Sequence, residues 1–104
     1  MDEMTIYDLC DMFGLDQNHM GVIMWLYLVH EIQRREQPNL SEIMLEVCKI
    51  YHCSLHFAYA CMRSGCRNFF EADEGFLRAV GFSPKRRTGP EFARQAAEKY
   101  PFRL

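Results

Sequence analysis

Cys48, His52, Cys53 and His56 gather four side chains able to ligate a transition metal within a short stretch of chain. His52 and His56 stand four apart, the spacing that sets two imidazoles on one face of a helix. The run crosses a predicted turn, however, and its spacing matches no structural zinc pattern. Hydrogen-bonded histidines and buried thiols are expected there, with no metal and no cofactor. Nucleophilic catalysis needs a Cys or Ser beside a base that a third group orients. Cys/His pairs exist here without a recognisable third partner, and the six glycines stand singly at element ends rather than in a phosphate loop. No catalytic role is expected.

Other residues suit a polyanion. Arg63 and Arg67 lie four apart, one helical turn, a spacing that fits phosphates or a guanine edge. Lys85, Arg86 and Arg87 follow in a basic loop suited to phosphate contact. The net charge of −2 hides an uneven distribution. Residues 1–59 carry nine acids and three bases, whereas residues 60–104 carry nine bases and five acids. The C-terminal part can therefore face a polyanion while the N-terminal part faces away.

The elements that must position these residues read as helices. Residues 5–13 place Ile6, Leu9, Cys10 and Phe13 on one face and end at Gly14. Residues 18–36 start behind Asp16 and Asn18 and are apolar nearly all round from Met20 to Ile32, which puts that helix in the middle of a bundle. Ser41 is the expected cap of a third helix, with Ile43, Val47 and Ile50 at helical spacing. After His52-Cys53-Ser54, Ser54 caps a fourth over residues 55–70, whose Leu55, Ala58, Tyr59, Met62, Cys66 and Phe69 form the apolar face. A short helix over 73–80 ends at Gly81. Thr88-Gly89-Pro90-Glu91 has the spacing of a capping box opening a last helix over 88–100. No segment alternates with period two over a strand's length, so the fold class expected is all-α: a compact six-helix domain.

Half the residues are hydrophobic (49%) and 13% are aromatic, enough to bury a core in a chain of 104 residues, so one domain is expected. Its expected layout is an N-terminal helix and linker over 1–20, a helix-turn-helix over 41–70 and a C-terminal helix over 88–100. The longest apolar run, Met20 to Val29, has ten residues, half of what a membrane span needs. The five cysteines are odd in number and scattered, as in reduced thiols of a cytoplasmic protein, with Cys61 and Cys66 in the core.

The third and fourth helices, joined by a short turn, have the outline of a helix-turn-helix. In such a pair the first helix braces the second, whose outer stripe reaches base edges in the major groove. Here that stripe is His56, Ala60, Arg63 and Arg67. On an ordinary surface the same arginines are solvated, or Arg67 pairs with Glu71. Phe57 and Tyr59 stack on bases or pack against the body, Tyr59 reading as packing and Phe57 lying off the main apolar face.

From Trp25 onward the chain resembles the C-terminal DNA-binding effector domain of the sporulation-initiation response regulator of spore-forming bacteria. Trp25-Leu26-Tyr27-Leu28 is similar to the family's aromatic-Leu-Tyr-Leu helix, and Val47-Cys48-Lys49-Ile50-Tyr51 matches its scaffold helix without a gap. The register continues through Ala58, Met62-Arg63 and Phe70. Gly81-Phe82 resembles its Gly-Tyr step, and Arg87-Thr88-Gly89-Pro90-Glu91-Phe92-Ala93 its Pro-Thr-Asn-x-Glu-Phe element. The resemblance implies a six-helix domain that binds duplex DNA through the fourth helix, often as a tandem pair. The family carries a phosphorylatable receiver domain ahead of this one; 104 residues leave no room for it, so no phosphorylation control in cis is expected. Phe57 and Ala60 stand at two of the family's arginine positions and Tyr59 at its glutamate position. Each lost bidentate arginine contact removes ~1–3 kcal/mol of discrimination, so the family's own DNA site does not carry over.

The expectation is a DNA-binding domain in transcription regulation, with His56, Phe57, Tyr59, Ala60, Arg63 and Arg67 on the duplex and Lys85, Arg86 and Arg87 on phosphates. The alternative keeps the fold but uses Phe57, Tyr59 and their neighbours to bind a second copy or a component of the transcription machinery. A solvent-facing Phe57 flanked by apolar surface favours the alternative; a positive ridge from Arg63 to Lys85 favours DNA.

Overall fold

A computed structural model of the chain describes residues 4–102. Seven α-helices run through them: α1 (Ile6–Phe13), α2 (Met20–Arg34), α3 (Leu40–Tyr51), α4 (Leu55–Gly65), α5 (Arg67–Phe70), α6 (Glu74–Ala79) and α7 (Gly89–Lys99). There is no strand among the described residues, as the periodicity predicts. Asp2, Glu3 and Arg103, which entered the charge division above, lie outside the described residues.

Local side-chain bonds set most helix starts. Thr5 caps α1 reciprocally: Asp8 N–H donates to Thr5 Oγ1 at 3.3 Å, and Thr5 N–H donates to the Asp8 carboxylate at 2.8 Å. Gly14, in the left-handed region at φ 64°, closes the helix where the sequence predicts. α2 starts later than expected, with His19 as its cap, Gly21 N–H donating to His19 Nδ1 at 2.9 Å. The reason is local: Asp16 Oδ1 already accepts from Asn18 N–H at 2.9 Å, so its carboxylate is spent in a turn. α3 is likewise capped by Asn39 rather than Ser41, Glu42 N–H donating to Asn39 Oδ1 at 3.1 Å.

α2 occupies the middle, packed on α3, α4 and α7. Val22, Met24, Trp25, Leu28 and Val29 are fully buried, as its nearly all-apolar sequence requires. Around Trp25 the core is aromatic. Trp25 stacks on Phe92 at 4.5 Å, Phe92 stacks on Phe69 at 3.8 Å, and Phe13 and Phe82 meet them edge-on. Each such pair contributes about 0.5–1.5 kcal/mol beyond the area it buries.

Helix continuity and burial also depart from expectation. Residues 55–70 are two helices, not one: Cys66, at φ −102° and ψ 26°, ends α4 and precedes α5, so seven helices replace six. Across this break Cys66 and Phe69 both reach full burial, and the Asn68 side chain donates to the Phe13 carbonyl at 2.7 Å, tying α5 to the end of α1. Ile50, read as core, is 49% exposed, whereas Ile43, Met44 and Val47 are buried. α3 packs chiefly on α2 and α4, which leave Ile50 in its last turn uncovered.

Thr88 caps α7 as predicted, Glu91 N–H donating to Thr88 Oγ1 at 3.2 Å, with Pro90 in the first turn. The reciprocal half of the expected capping box is missing because Arg94 holds the Glu91 carboxylate. No helix of the described residues is long and apolar enough to cross a membrane.

Candidate functional site

α4 buries a narrow stripe. Only Ala58 and Met62 are fully buried, while Leu55, His56, Phe57, Tyr59, Ala60, Arg63 and Ser64 all face outward. Tyr59, assigned by its spacing to the packing face, is 40% exposed, and Leu55 is 41% exposed. The helix reaches the body mainly through α2, which leaves most of its circumference free.

The turn that delivers α4 is His52–Ser54. His52 takes the left-handed conformation at φ 52°, which ends α3, and the Ser54 side chain accepts from Phe57 N–H at 3.1 Å, which starts α4. The His52–His56 spacing therefore crosses a turn and does not put two imidazoles on one helical face. Among the described residues no group of three or more His, Cys, Asp or Glu side chains is arranged to hold a metal ion.

A cavity of about 290 Å³ lies between α4 and the start of α7. It is lined by His56, Tyr59, Ala60 and Arg63 of α4, Phe70 of α5, and Arg87, Thr88 and Gly89 at the entry to α7. The positive end of the α7 macrodipole thus joins the arginines there. A neighbouring cavity of about 420 Å³ shares Ala60, Arg63 and Phe70 and adds Ser64, Arg67 and Glu71. Arg63 lies over the Phe70 ring, its guanidinium carbon 5.2 Å from the centroid, which holds the side chain along the groove. Sequence reasoning did not count Phe70 as a site residue; its seven-residue spacing from Arg63, two turns on, was the available signal.

Arg67 does not continue the α4 stripe, because the break at Cys66 places it at the start of α5. It nevertheless joins Arg63 in lining the second cavity, and no ion pair links it to Glu71. Lys85 and Arg86 are exposed on the loop ahead of α7. Arg94 chiefly, with a weaker push from Arg86, holds the Glu91 carboxyl below the usual carboxylate range.

Arg87 has a structural task. It is half-buried and donates to the carbonyls of Phe70 at 2.9 Å, Ala72 at 2.8 Å and Pro84 at 3.2 Å. These carbonyls close the end of α5 and the start of the basic loop, so the guanidinium braces the groove wall.

The remaining arginines divide cleanly. Arg34 and Arg35 hold Glu31, Arg35 also holds Glu46, Arg78 faces Glu74, and Arg94 bridges Glu91 and Glu98. Among the described residues no carboxylate pairs with Arg63, Arg67, Lys85 or Arg86. Phe57 is 54% exposed and borders a third cavity with Tyr51, His52, Cys53 and Ser54, which shares no lining residue with the first two.

No family model matches the chain, and no curated protein or solved structure matches it significantly.

Proposed function

We propose that the chain is a helix-turn-helix domain that binds duplex DNA through the outer face of α4 and acts in transcription regulation in the cytoplasm, as its resemblance to the sporulation-initiation effector domain implies. The observation that carries this reading is a set of exposed unpaired cations, two lining the cavities beside α4 and two on the loop ahead of α7. Arg63, Arg67, Lys85 and Arg86 have no carboxylate partner among the described residues, whereas Arg34, Arg35, Arg78 and Arg94 do. A surface kept free of internal ion pairs is suited to release counterions from a phosphate backbone. On this reading α3 braces α4, and His56, Ala60 and Arg63 meet base edges. Arg67, Lys85 and Arg86 take phosphates, and Arg87 stiffens the loop that presents them.

A second reading, favoured by the 54% exposure of Phe57, is a protein-interaction module that keeps the fold without base readout. An exposed aromatic at the mouth of the cavity lined by Tyr51, His52, Cys53 and Ser54 suits a protein interface better than a phosphate-facing groove.

Fluorescence anisotropy against random and operator-like duplexes at two salt concentrations separates the two. DNA binding requires a log–log salt slope of several units that falls by about two in an Arg63→Ala/Arg67→Ala variant. Absence of binding at low salt removes the DNA reading and directs attention to the Phe57 face.

A further inference from the structure

Three of the five cysteines sit where α3 hands over to α4. Cys48 is in the last turn of α3, Cys53 in the turn and Cys61 on α4, and all three are half-buried free thiols. The left-handed residue His52 folds the chain back, so that Cys53 N–H donates to the Cys48 carbonyl at 3.0 Å. Bond lengths then cap the separation of the two α-carbons at about 7 Å, the outer limit of what a disulfide spans. Their thiols also feel one another: burial first, then Cys53, pushes the Cys48 thiol above its ordinary value, and Cys61 is raised in the same way.

The two cysteines differ in their access to an open cavity. Cys53 lines the open cavity of about 440 Å³ formed with Tyr51, His52, Ser54 and Phe57; Cys48 does not line it. An oxidant entering that cavity meets Cys53 first.

We infer that Cys48 and Cys53 form an oxidative modification site, Cys53 reacting with a peroxide and Cys48 closing a disulfide across the α3–α4 turn. In the first step the Cys53 sulfur attacks one oxygen of hydrogen peroxide. The O–O bond breaks, Cys53 becomes a sulfenic acid and one water leaves. In the second, the Cys48 sulfur attacks the sulfenic sulfur, the S–S bond forms, and the departing hydroxide takes the Cys48 proton as a second water. The peroxide gains the two electrons, and the chain loses two hydrogens. Burial suits Cys48 to the second step, since it holds back the thiolate that a first attack needs. The bond would lock the turn that positions α4. The site does not depend on the DNA reading, because its readout is covalent.

The test is peroxide treatment of the folded, full chain followed by alkylation of remaining thiols and tryptic mapping. Trypsin cuts after Lys49, so the disulfide joins the peptide ending at Lys49 to the peptide spanning residues 50–63. That second peptide also contains Cys61, so serine variants are needed to tell the two apart. The linked peptide must appear in the wild type, persist in Cys61→Ser, vanish in Cys53→Ser and revert with dithiothreitol. Cys48→Ser must stall with Cys53 as a sulfenic acid, trapped by dimedone. Absence of the linked peptide from the folded wild type overturns the assignment, as does its persistence in Cys53→Ser. Near-native thermal unfolding of each serine variant confirms that the outcome is read on folded protein.

Discussion

Gly21 of α2 and Cys61 of α4 meet backbone to backbone: a β-carbon on Gly21 would stand 1.8 Å from the Cys61 carbonyl oxygen. Gly65 makes the matching approach one turn later, where a β-carbon would lie 2.8 Å from the Val22 nitrogen. Two glycines thus let the central helix and the helix of the candidate site touch without side chains between them. The contact seats α4 close to the core while its outer arc stays free.

Gly21→Ala tests this contact. The nearest atoms are backbone, which cannot rotate aside, so the helices must separate. The substitution is expected to cost about 1–3 kcal/mol or more and to lower Tm by on the order of 10 °C. Thermal unfolding followed by circular dichroism measures it, and an unchanged Tm would mean that the two backbones are not in contact.

The Arg63→Ala/Arg67→Ala variant should leave stability nearly intact while weakening duplex binding. Both side chains are exposed and lack carboxylate partners among the described residues, so folding should change by less than about 1 kcal/mol, the loss of the Arg63–Phe70 contact included. Denaturant unfolding beside the anisotropy titration separates loss of binding from loss of fold.

Arg87 and its neighbours should behave oppositely. Arg87→Ala leaves the Phe70 and Ala72 carbonyls without their donor and is expected to cost about 1–3 kcal/mol. Lys85→Ala/Arg86→Ala, in exposed loop positions, should shift stability by no more than about 0.5 kcal/mol yet reduce the salt slope. Equal unfolding midpoints for the two variants would refute the bracing role of Arg87.

Acid should expose the Glu31 network. Hydrogen bonds from Arg34 first, and then Arg35 and His30, outweigh burial and bring the Glu31 carboxyl down to about 2. A carboxyl lowered on folding contributes stability above its unfolded value near 4.5, and that stability is lost as pH falls from there toward about 2. The stability gap between wild type and Glu31→Gln should therefore be full at neutral pH and narrow steadily across that window. Urea unfolding at stepped pH values provides the curve, and a gap independent of pH would remove Glu31 as the titrating group.

What the sequence determined by itself is what short-range physics controls. The 3.6-residue period put Ile6, Leu9, Cys10 and Phe13 on one buried face, and the nearly all-apolar run after Met20 marked the central helix. Thr5, Ser54 and Thr88 open helices because a side-chain oxygen three residues before an unpaired N–H satisfies it wherever the rest of the chain lies. Where the sequence pointed to Asp16 and Asn18, or to Ser41, the caps are His19 and Asn39, and the boundary moved by a residue or more. There the competition was settled by bonds that spacing alone does not rank.

Tertiary structure decided the rest. The His56, Ala60 and Arg63 stripe was legible because it lies within one helix. Arg67 left that helix at Cys66, whose neighbours Gly65 and Asn68 meet α2 and α1, contacts with no trace in local periodicity. Arg87 reads as one more charge in a basic run until Phe70 and Ala72 bring their carbonyls to it from α5 and the loop beyond. Ile50 and Tyr59 kept core spacing but lacked a partner to cover them. A residue's spacing sets the direction in which it points; whether it is buried, paired or free depends on which distant element packing brings to that side.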